Sequence, residues 1–352
     1  MGLFDPLTLG ELSLSNRVIM APMTRSRATA DAVPTPVMAE YYRQRASAGL
    51  IITEGIAPSA AGLGYCRTSG LFNDEQVAGW RRVTEAVHAE GGLICAQLMH
   101  VGRVASPLNK PEGAETIAPS AITARGEIYT DQAGMQPLAA PRVIALDEIA
   151  GVVEDYARAA AHAVVAGFDA VELHCTSGYL PAQFLSSGSN RRDDEYGGSA
   201  EKRCRFVLEV LQAISKVAGS GRVGMRICPD NPFNDLADDD PQGTFETLLR
   251  GAAPMNLAYL HVIRFPGRVD NLALGRDYFA DRLLGNESYS LDEAELALAE
   301  GSLSAVSFGR PFIANPDLVE RLRSGAELAT FDPATLYTVG ERGYTDYPAL
   351  GS

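Results

Sequence analysis

The sequence predicts an α/β protein of the TIM (β/α)8-barrel class with an N-terminal hairpin and a long lid excursion after the third strand, and three observations predict it. Short β-branched or apolar runs recur eight times along the 352 residues. Segments of helical period, opened by N-cap signals, lie between them. The chain also exceeds the roughly 250 residues of a minimal barrel by about 100, which leaves room for decoration. Strand and helix in alternation argue a closed parallel barrel with its helices outside. Periodicity alone leaves a doubly wound open sheet as the structural alternative. The chain reads as a single domain over residues 1–352.

The first sixteen residues precede the first run and suit a hairpin across the barrel floor. The strand runs are RVIMAPM (17–23), LIITE (50–54), LICAQL (93–98), AVELH (170–174), RVGMRI (222–227), AYLHVI (258–263), DRLLG (281–285) and LSAVSFG (303–309). Helices are expected at TPVMAEYYRQRAS (35–47), DEQVAGWRRVTEAVHAE (74–90), LDEIAGVVEDYARAAAHAVVAG (146–167), SAEKRCRFVLEVLQAIS (199–215), GTFETLLRG (243–251), SLDEAELALAEG (290–301) and NPDLVERLRSG (315–325). Residues 103–145 form an excursion rich in Pro, Ala, Gly and Thr. A structureless loop of that length would be unusual, so it is either folded on itself or functional, and it sits where a lid would sit. The RRDDEYGGS turn (191–199) reads as a solvated charged turn whose Ser199 caps the next helix.

Composition excludes several functions. Lys plus Arg total 30 against 44 Asp plus Glu, a formal net charge of −14, and no basic run is present to neutralise phosphates, so nucleic acid is not an expected partner. The five cysteines are odd in number and lack CxxC spacing, which suggests neither a disulfide framework nor a structural zinc site. A reducing cytoplasm fits best. No apolar run approaches the roughly 18 residues needed to cross a bilayer, and no signal sequence opens the chain. A small-molecule substrate, with the chain a monomer or homodimer, is the expectation that remains.

In a barrel of this kind the C-terminal strand ends converge on the active site. Here they carry Ala21, Pro22, Met23 and Thr24, then Glu54 and Gly55, then Gln97, Met99 and His100, then His174, Arg226, and finally Gly309 and Arg310. No HxH pair, carboxylate cluster or serine elbow occurs, so no metal is expected. The only lysines are Lys110, Lys202 and Lys216, and the last two fall in a helix, which gives a Schiff-base mechanism little support. An amide, a hydroxyl, a guanidinium and an imidazole are what a large planar cofactor needs along its edges. Gly309 with Arg310, at a strand-to-helix junction, suits a phosphate. His100 and His261 at strand ends read as satisfied core histidines.

Five segments in order resemble the Old Yellow Enzyme family of FMN-dependent ene-reductases: LFDPLTLGELSLSNRVIMAPMTRSRA, AQLMHVGR, LHCTSGYLPAQFLSSGSNRRDDEYGGSAEKRCRF, FGRPFIANPDLVERL and GYTDYP. The resemblance spans essentially the whole chain. It implies FMN at the barrel mouth, reduced by NADPH or NADH and passing hydride to the β-carbon of an activated alkene. It further implies that Thr24 contacts the flavin while Pro22, Met23 and Gly55 line its ring. Gln97 and Arg226 would bond the pyrimidine edge, and Gly309 and Arg310 would hold the phosphate. Tyr65, Tyr179 and Tyr344 match pocket tyrosines. His174 matches the first member of the substrate-anchoring pair, and Tyr179 the proton donor. Near pKa 10 an ordinary tyrosine is protonated at neutral pH, which agrees with that role.

Three positions depart from the family pattern. Ser177 replaces the second anchor, usually His or Asn, and its hydroxyl has a shorter reach. Met99 stands where tryptophan is usual, which points to a reshaped pocket and a bulkier or atypical substrate, unless the side chain merely fills core space. GNESY (285–289) replaces a glycine-rich turn, so Glu287 either sets a negative charge near the phosphate or points to solvent. These departures keep two other functions open. One is a non-reducing isomerase or biosynthetic oxidase on the same scaffold, and the other is a flavin-free ligand-binding barrel.

Overall fold

Every residue of the barrel strands but one is buried, as a sheet covered on both faces requires. In the computed structural model, which describes residues 1–351, the chain opens with a hairpin of β1 (Leu7–Leu9) and β2 (Leu12–Leu14). Three barrel strands follow: β3 (Val18–Met20), β4 (Leu50–Ile56) and β5 (Ile94–Leu98). The excursion contributes β6 (Ile117–Ala118), β7 (Glu127–Thr130), β8 (Gly134–Pro137) and β9 (Arg142–Val143). The remaining barrel strands are β10 (Ala170–Cys175), β11 (Val223–Ile227), β12 (Tyr259–Ile263), β13 (Leu283–Asn286) and β14 (Ala305–Phe308). The eight barrel strands close in chain order, all parallel, with β14 beside β3. Closure removes the open-sheet alternative.

The period of two along each strand sorts side chains into two cores. Ile19, Leu50, Ile52, Cys95, Ala170, Tyr259, Leu284 and Ala305 pack with Leu9, Leu12 and Leu14 of the hairpin, which plugs the barrel at its N-terminal end. Gly10 makes that plug fit: its φ is +58°, and a Cβ there would lie 2.4 Å from the Gly221 carbonyl oxygen. The alternate residues, among them Val18, Ile51, Ala96, Leu173, Met225, Val262 and Val306, pack against the helices.

Those helices are α1 (Pro36–Arg43), α2 (Asp74–Ala89), α3 (Ile149–Val165), α4 (Leu180–Leu185), α5 (Ala200–Ala218), α6 (Pro241–Ala252), α7 (Asn271–Phe279), α8 (Leu291–Ala299), α9 (Arg310–Ala314) and α10 (Leu318–Ser324). Side-chain caps start several of them: Asn73 accepts from the Gln76 N–H, Ser199 from Lys202, and Ser290 from Glu293. Helix α7 is absent from the sequence expectation. It is short and carries Gly275 where a Cβ would meet Leu283 at 2.9 Å, so tertiary packing selects a residue of poor helix propensity. Its one local signal is Asp270, which accepts from the Ala273 N–H. The first strand also ends at Met20, earlier than expected, because Pro22 has no N–H to continue the ladder.

The excursion is folded rather than structureless. Strands β7 and β8 form an antiparallel hairpin, and β6 pairs with β9. Two arginines tie it to the barrel: the buried Arg103 donates to the Ile122, Asn234 and Asp235 carbonyls, and the partly buried Arg192 to those of Pro119 and Ile144. Arg192 is therefore a structural anchor, and the turn read as solvated is partly buried.

Candidate active site

The site is built where β3, β11, β13 and β14 end. Pro22, Met23, Thr24, Arg226, Gly309 and Arg310 line one cleft of about 480 Å³, within the range usual for cofactor sites. Arg226 is 7% exposed and donates from Nη2 to the Asn286 Oδ1 at 2.6 Å. Its Nε and Nη1 are buried without a protein partner. Two unpaired donors on a buried guanidinium are costly unless a ligand brings acceptors. A flavin pyrimidine edge is such a ligand, so the residues present fit FMN.

Arg310, at the mouth of the same cleft, pairs with Glu287 at 3.5 Å. Glu287 has φ +87° and Ser288 +53°, both left-handed. Their carbonyls accept from Arg264, which stabilises a turn that non-glycine residues resist. Glu287 thus lines the cleft beside Arg310.

The second half of the site hangs on β10 and the turn after it. His174 is 6% exposed, and its Nδ1 is buried without a partner. Burial, assisted by the Arg226 charge, pushes its pKa down to about 3, so the imidazole is neutral and offers one N–H. Tyr179 caps α4 with its ring 5.2 Å from His174. Its hydroxyl meets that of Tyr65 at 3.1 Å, and burial holds it well above the usual phenol range. It stays protonated. Ser177 lies between them in the left-handed region at φ +58°.

Not every expected residue lines this cleft itself. Gln97 is 2% exposed and turns its amide to Glu172 at 2.7 Å, below the cleft. Gly55 does not face the cleft directly: a Cβ there would meet the Met99 sulfur at 2.5 Å, so Met99 lies across it. Met99 also packs in one cluster with Tyr179, Tyr65 and Ile128, joining the pocket wall to the excursion. Tyr344, expected in the pocket, does not line it. It is wholly buried, stacked on Tyr41 at 3.9 Å with the Arg27 guanidinium 4.7 Å from its ring, which makes it a core residue.

Near the C-terminus the tyrosine that lines the cleft is Tyr337, outside the GYTDYP motif, and nothing in its local sequence marks it. Asn234 was also missed. Its amide donates to the Ser177 carbonyl at 2.7 Å, and its own φ is +54°. The PFND turn was its only signal. Of the two histidines read as satisfied, His261 bonds through both nitrogens, whereas the buried His100 Nε2 has no partner. Cys175, beside His174, is fully buried and its thiol is held well above the usual range, so it is no oxidation site. Among the described residues, no cluster of His, Cys, Asp or Glu could hold a metal, and no helix is long and apolar enough to cross a membrane.

Comparison with known proteins agrees with this geometry. Residues 2–329 match the NADH:flavin oxidoreductase / NADH oxidase family. The chain is 43% identical to the "Probable flavin mononucleotide-dependent alkene reductase" of Leishmania infantum, over 99% of this chain and 97% of that protein. It is 39% identical to 12-oxophytodienoate reductase 7 of rice (Oryza sativa subsp. japonica), over 99% and 95%. Morphinone reductase in complex with tetrahydroNAD superposes with a TM-score of 0.95 at 47% identity, covering 99% of this chain and 98% of that one. The Old Yellow Enzyme homologue of Zymomonas mobilis gives 0.95 at 40%, covering 99% of each. The chain belongs to the NADH:flavin oxidoreductase family, the Old Yellow Enzymes, and is an FMN-dependent oxidoreductase of the ene-reductase type.

Proposed function

We propose that this enzyme reduces the C=C bond of an α,β-unsaturated carbonyl or nitro compound, and that its substrate is bulky or atypical for the family. The observation that carries the reading is the pair His174 and Tyr179, with rings 5.2 Å apart: a neutral imidazole with a buried, unpartnered nitrogen beside a phenol that keeps its proton. FMN, when bound, supplies the hydride that it takes from NADPH or NADH. His174 donates one hydrogen bond to the substrate oxygen and draws electron density from the double bond. Ser177 adds a second, shorter-reaching donor. Tyr179 delivers its proton to the α-carbon, and Tyr65, bonded to the Tyr179 hydroxyl, orients that proton.

Pro22, Met23 and Thr24 would line the flavin ring, Gln97 and Arg226 its pyrimidine edge, and Gly309 with Arg310 its phosphate. Gly55 supports the wall through Met99. The proposed preference for bulk rests on Met99 in place of an indole, and on Tyr337, which lines the cleft and is 59% exposed.

The test is anaerobic titration of the purified holoenzyme with NADPH and with NADH, followed by mixing with small enones, bulky enones and nitroalkenes. Bleaching of the flavin bands by a nicotinamide, with reoxidation fastest by a bulky acceptor, is expected. A flavin that bleaches but is reoxidised by none of these alkenes would overturn the reading.

A further inference from the structure

Under the cleft, four interior side chains from four strands bond end to end. Gln97 on β5 donates its amide to the Glu172 Oε1 on β10 at 2.7 Å. Glu172 Oε2 meets the His261 Nδ1 on β12 at 2.9 Å, and His261 Nε2 meets the Ser307 Oγ on β14 at 2.7 Å. The four are between 0% and 2% exposed. None of this is needed to close the barrel, whose neighbouring layer is filled by Tyr259, Leu284 and Cys95. Buried polar groups at interior positions call for a reason.

The chemistry of each group dictates the direction of every bond. Contacts with His261, Arg226 and Gln97 outweigh burial and hold the Glu172 carboxyl below its usual range, so it is ionised and can only accept. His261, pushed down by burial, is neutral. Its Nδ1 must then carry the proton to Glu172, and its Nε2 must accept from the Ser307 hydroxyl. The Gln97 amide is left one choice. Its NH2 faces Glu172, so its carbonyl oxygen is the group left for a donor on the cofactor side. Arg226, in register with His174 on the neighbouring strand, presents two unpaired donors. One acceptor on β5 and two donors on β11, the strands that flank β10, complement a flavin pyrimidine edge, with its N–H between two carbonyl oxygens.

We propose that Glu172 is a positioning residue for FMN: its carboxylate, oriented by His261 and Ser307, fixes the Gln97 carboxamide with the carbonyl oxygen toward the pyrimidine N–H. The inference rests on the reading that Gln97 and Arg226 hold the flavin edge. Without Glu172 the amide is free to rotate by half a turn and present a donor where an acceptor is required. The carboxylate also lies close to the charge of Arg226, so removing it raises the net positive charge below the flavin and favours the reduced anion.

The experiment is a double-mutant cycle with Glu172→Gln, Gln97→Met and the pair, measuring the FMN dissociation constant by fluorescence quenching and the midpoint potential of each holoprotein. Glu172→Gln is expected to weaken FMN about tenfold in the wild-type background and to leave affinity unchanged in the Gln97→Met background. The Glu172→Gln potential should rise, by about 30 mV for each tenfold gain in the preference for reduced over oxidised flavin. Equal weakening in both backgrounds, with an unmoved potential, would make Glu172 part of the barrel's packing alone and overturn the proposal. Wild-type FMN affinity in Gln97→Met would instead overturn the underlying reading of the flavin edge. Should Glu172→Gln fail to fold, neutron diffraction from crystals of the wild-type holoenzyme reads the same point. Deuterons on the Gln97 nitrogen directed at Glu172 support the proposal, and the reverse orientation ends it.

Discussion

Arg310 and Glu287 stand 3.5 Å apart at the mouth of the cleft proposed for the flavin, so the cation expected to hold the cofactor phosphate already has an anion beside it. Both side chains are exposed, 70% and 45%, so the pair is worth at most about 1 kcal/mol. That is enough to matter for binding. Glu287→Gln should tighten FMN by about two- to fivefold. Glu287→Gly should match that and also raise the melting temperature, because the residue's φ of +87° suits glycine. Fluorescence titration of the apoprotein decides it; no tightening in either variant would show that Glu287 does not compete with the phosphate.

Arg226 carries the clearest demand for a ligand. Replacing it with methionine removes both orphaned donors and should weaken FMN by about 10- to 100-fold. The midpoint potential should fall, since a positive charge no longer meets the charge of the reduced flavin. Isothermal titration together with a dye-linked potential measurement tests this, and unchanged values would place the flavin edge elsewhere.

Ser177 sits in the left-handed region, where Asn and His are better tolerated than other non-glycine residues. The backbone therefore accepts Ser177→Asn and Ser177→His. Either should raise kcat/KM for a small enone by about tenfold or more, given the 10²–10³ typical of one oxyanion donor. Steady-state rates with one small cyclic enone check it, and equal or lower rates in both variants would count against Ser177 as an anchor.

Tyr179→Phe separates the two half-reactions. The nicotinamide step needs no proton from Tyr179, whereas alkene reduction should slow by about 10²–10⁴. Stopped-flow spectra of the two steps make the comparison. A Tyr65→Phe enzyme should lose less, since that hydroxyl only orients its neighbour.

Stability should fall on acidification. Burial holds His100 and His174 down at about 3, against 6.5 for the free side chain. The unfolded chain binds more protons across that window, so both contributions are present above about pH 6.5 and are lost as pH falls toward 3. Glu54, pushed by burial up to about 7, works the other way: it favours the folded state below about 4.5, and that gain is lost as pH rises through 7. Two groups oppose one. Thermal melts from pH 7 to 4 should show a decline, smaller in His100→Gln, and kcat should show no break near 6.5 from His174. A melting temperature that rises on acidification would contradict this.

Much of the fold was legible because its signals are local. The strand runs, the capping residues Asn73, Ser199 and Ser290, and the hairpin before Arg17 are all short-range patterns. The missed helix at Asn271–Phe279 shows the limit, since Gly275 is explained by a strand eight residues on and not by its own neighbours. At the site, a dense motif draws attention to His174 and Tyr179, and a strand end to Arg226. Tyr337 and Asn234, carried by ordinary turns, are not marked in this way.

From the chain alone came the barrel class, the flavin family and the three unusual positions, because periodicity, caps and motif order are written within a few residues of one another. Folding decided the rest. Whether Tyr344 or Tyr337 meets the cleft depends on which ring stacks on Tyr41, some 300 residues away. The bond between Glu172 and His261 joins positions 89 apart, and it exists only once β10 and β12 flank the same strand of a closed barrel. Side-chain chemistry is carried along the chain, but partners and unpaired donors are properties of packed neighbours, and those are set by closure.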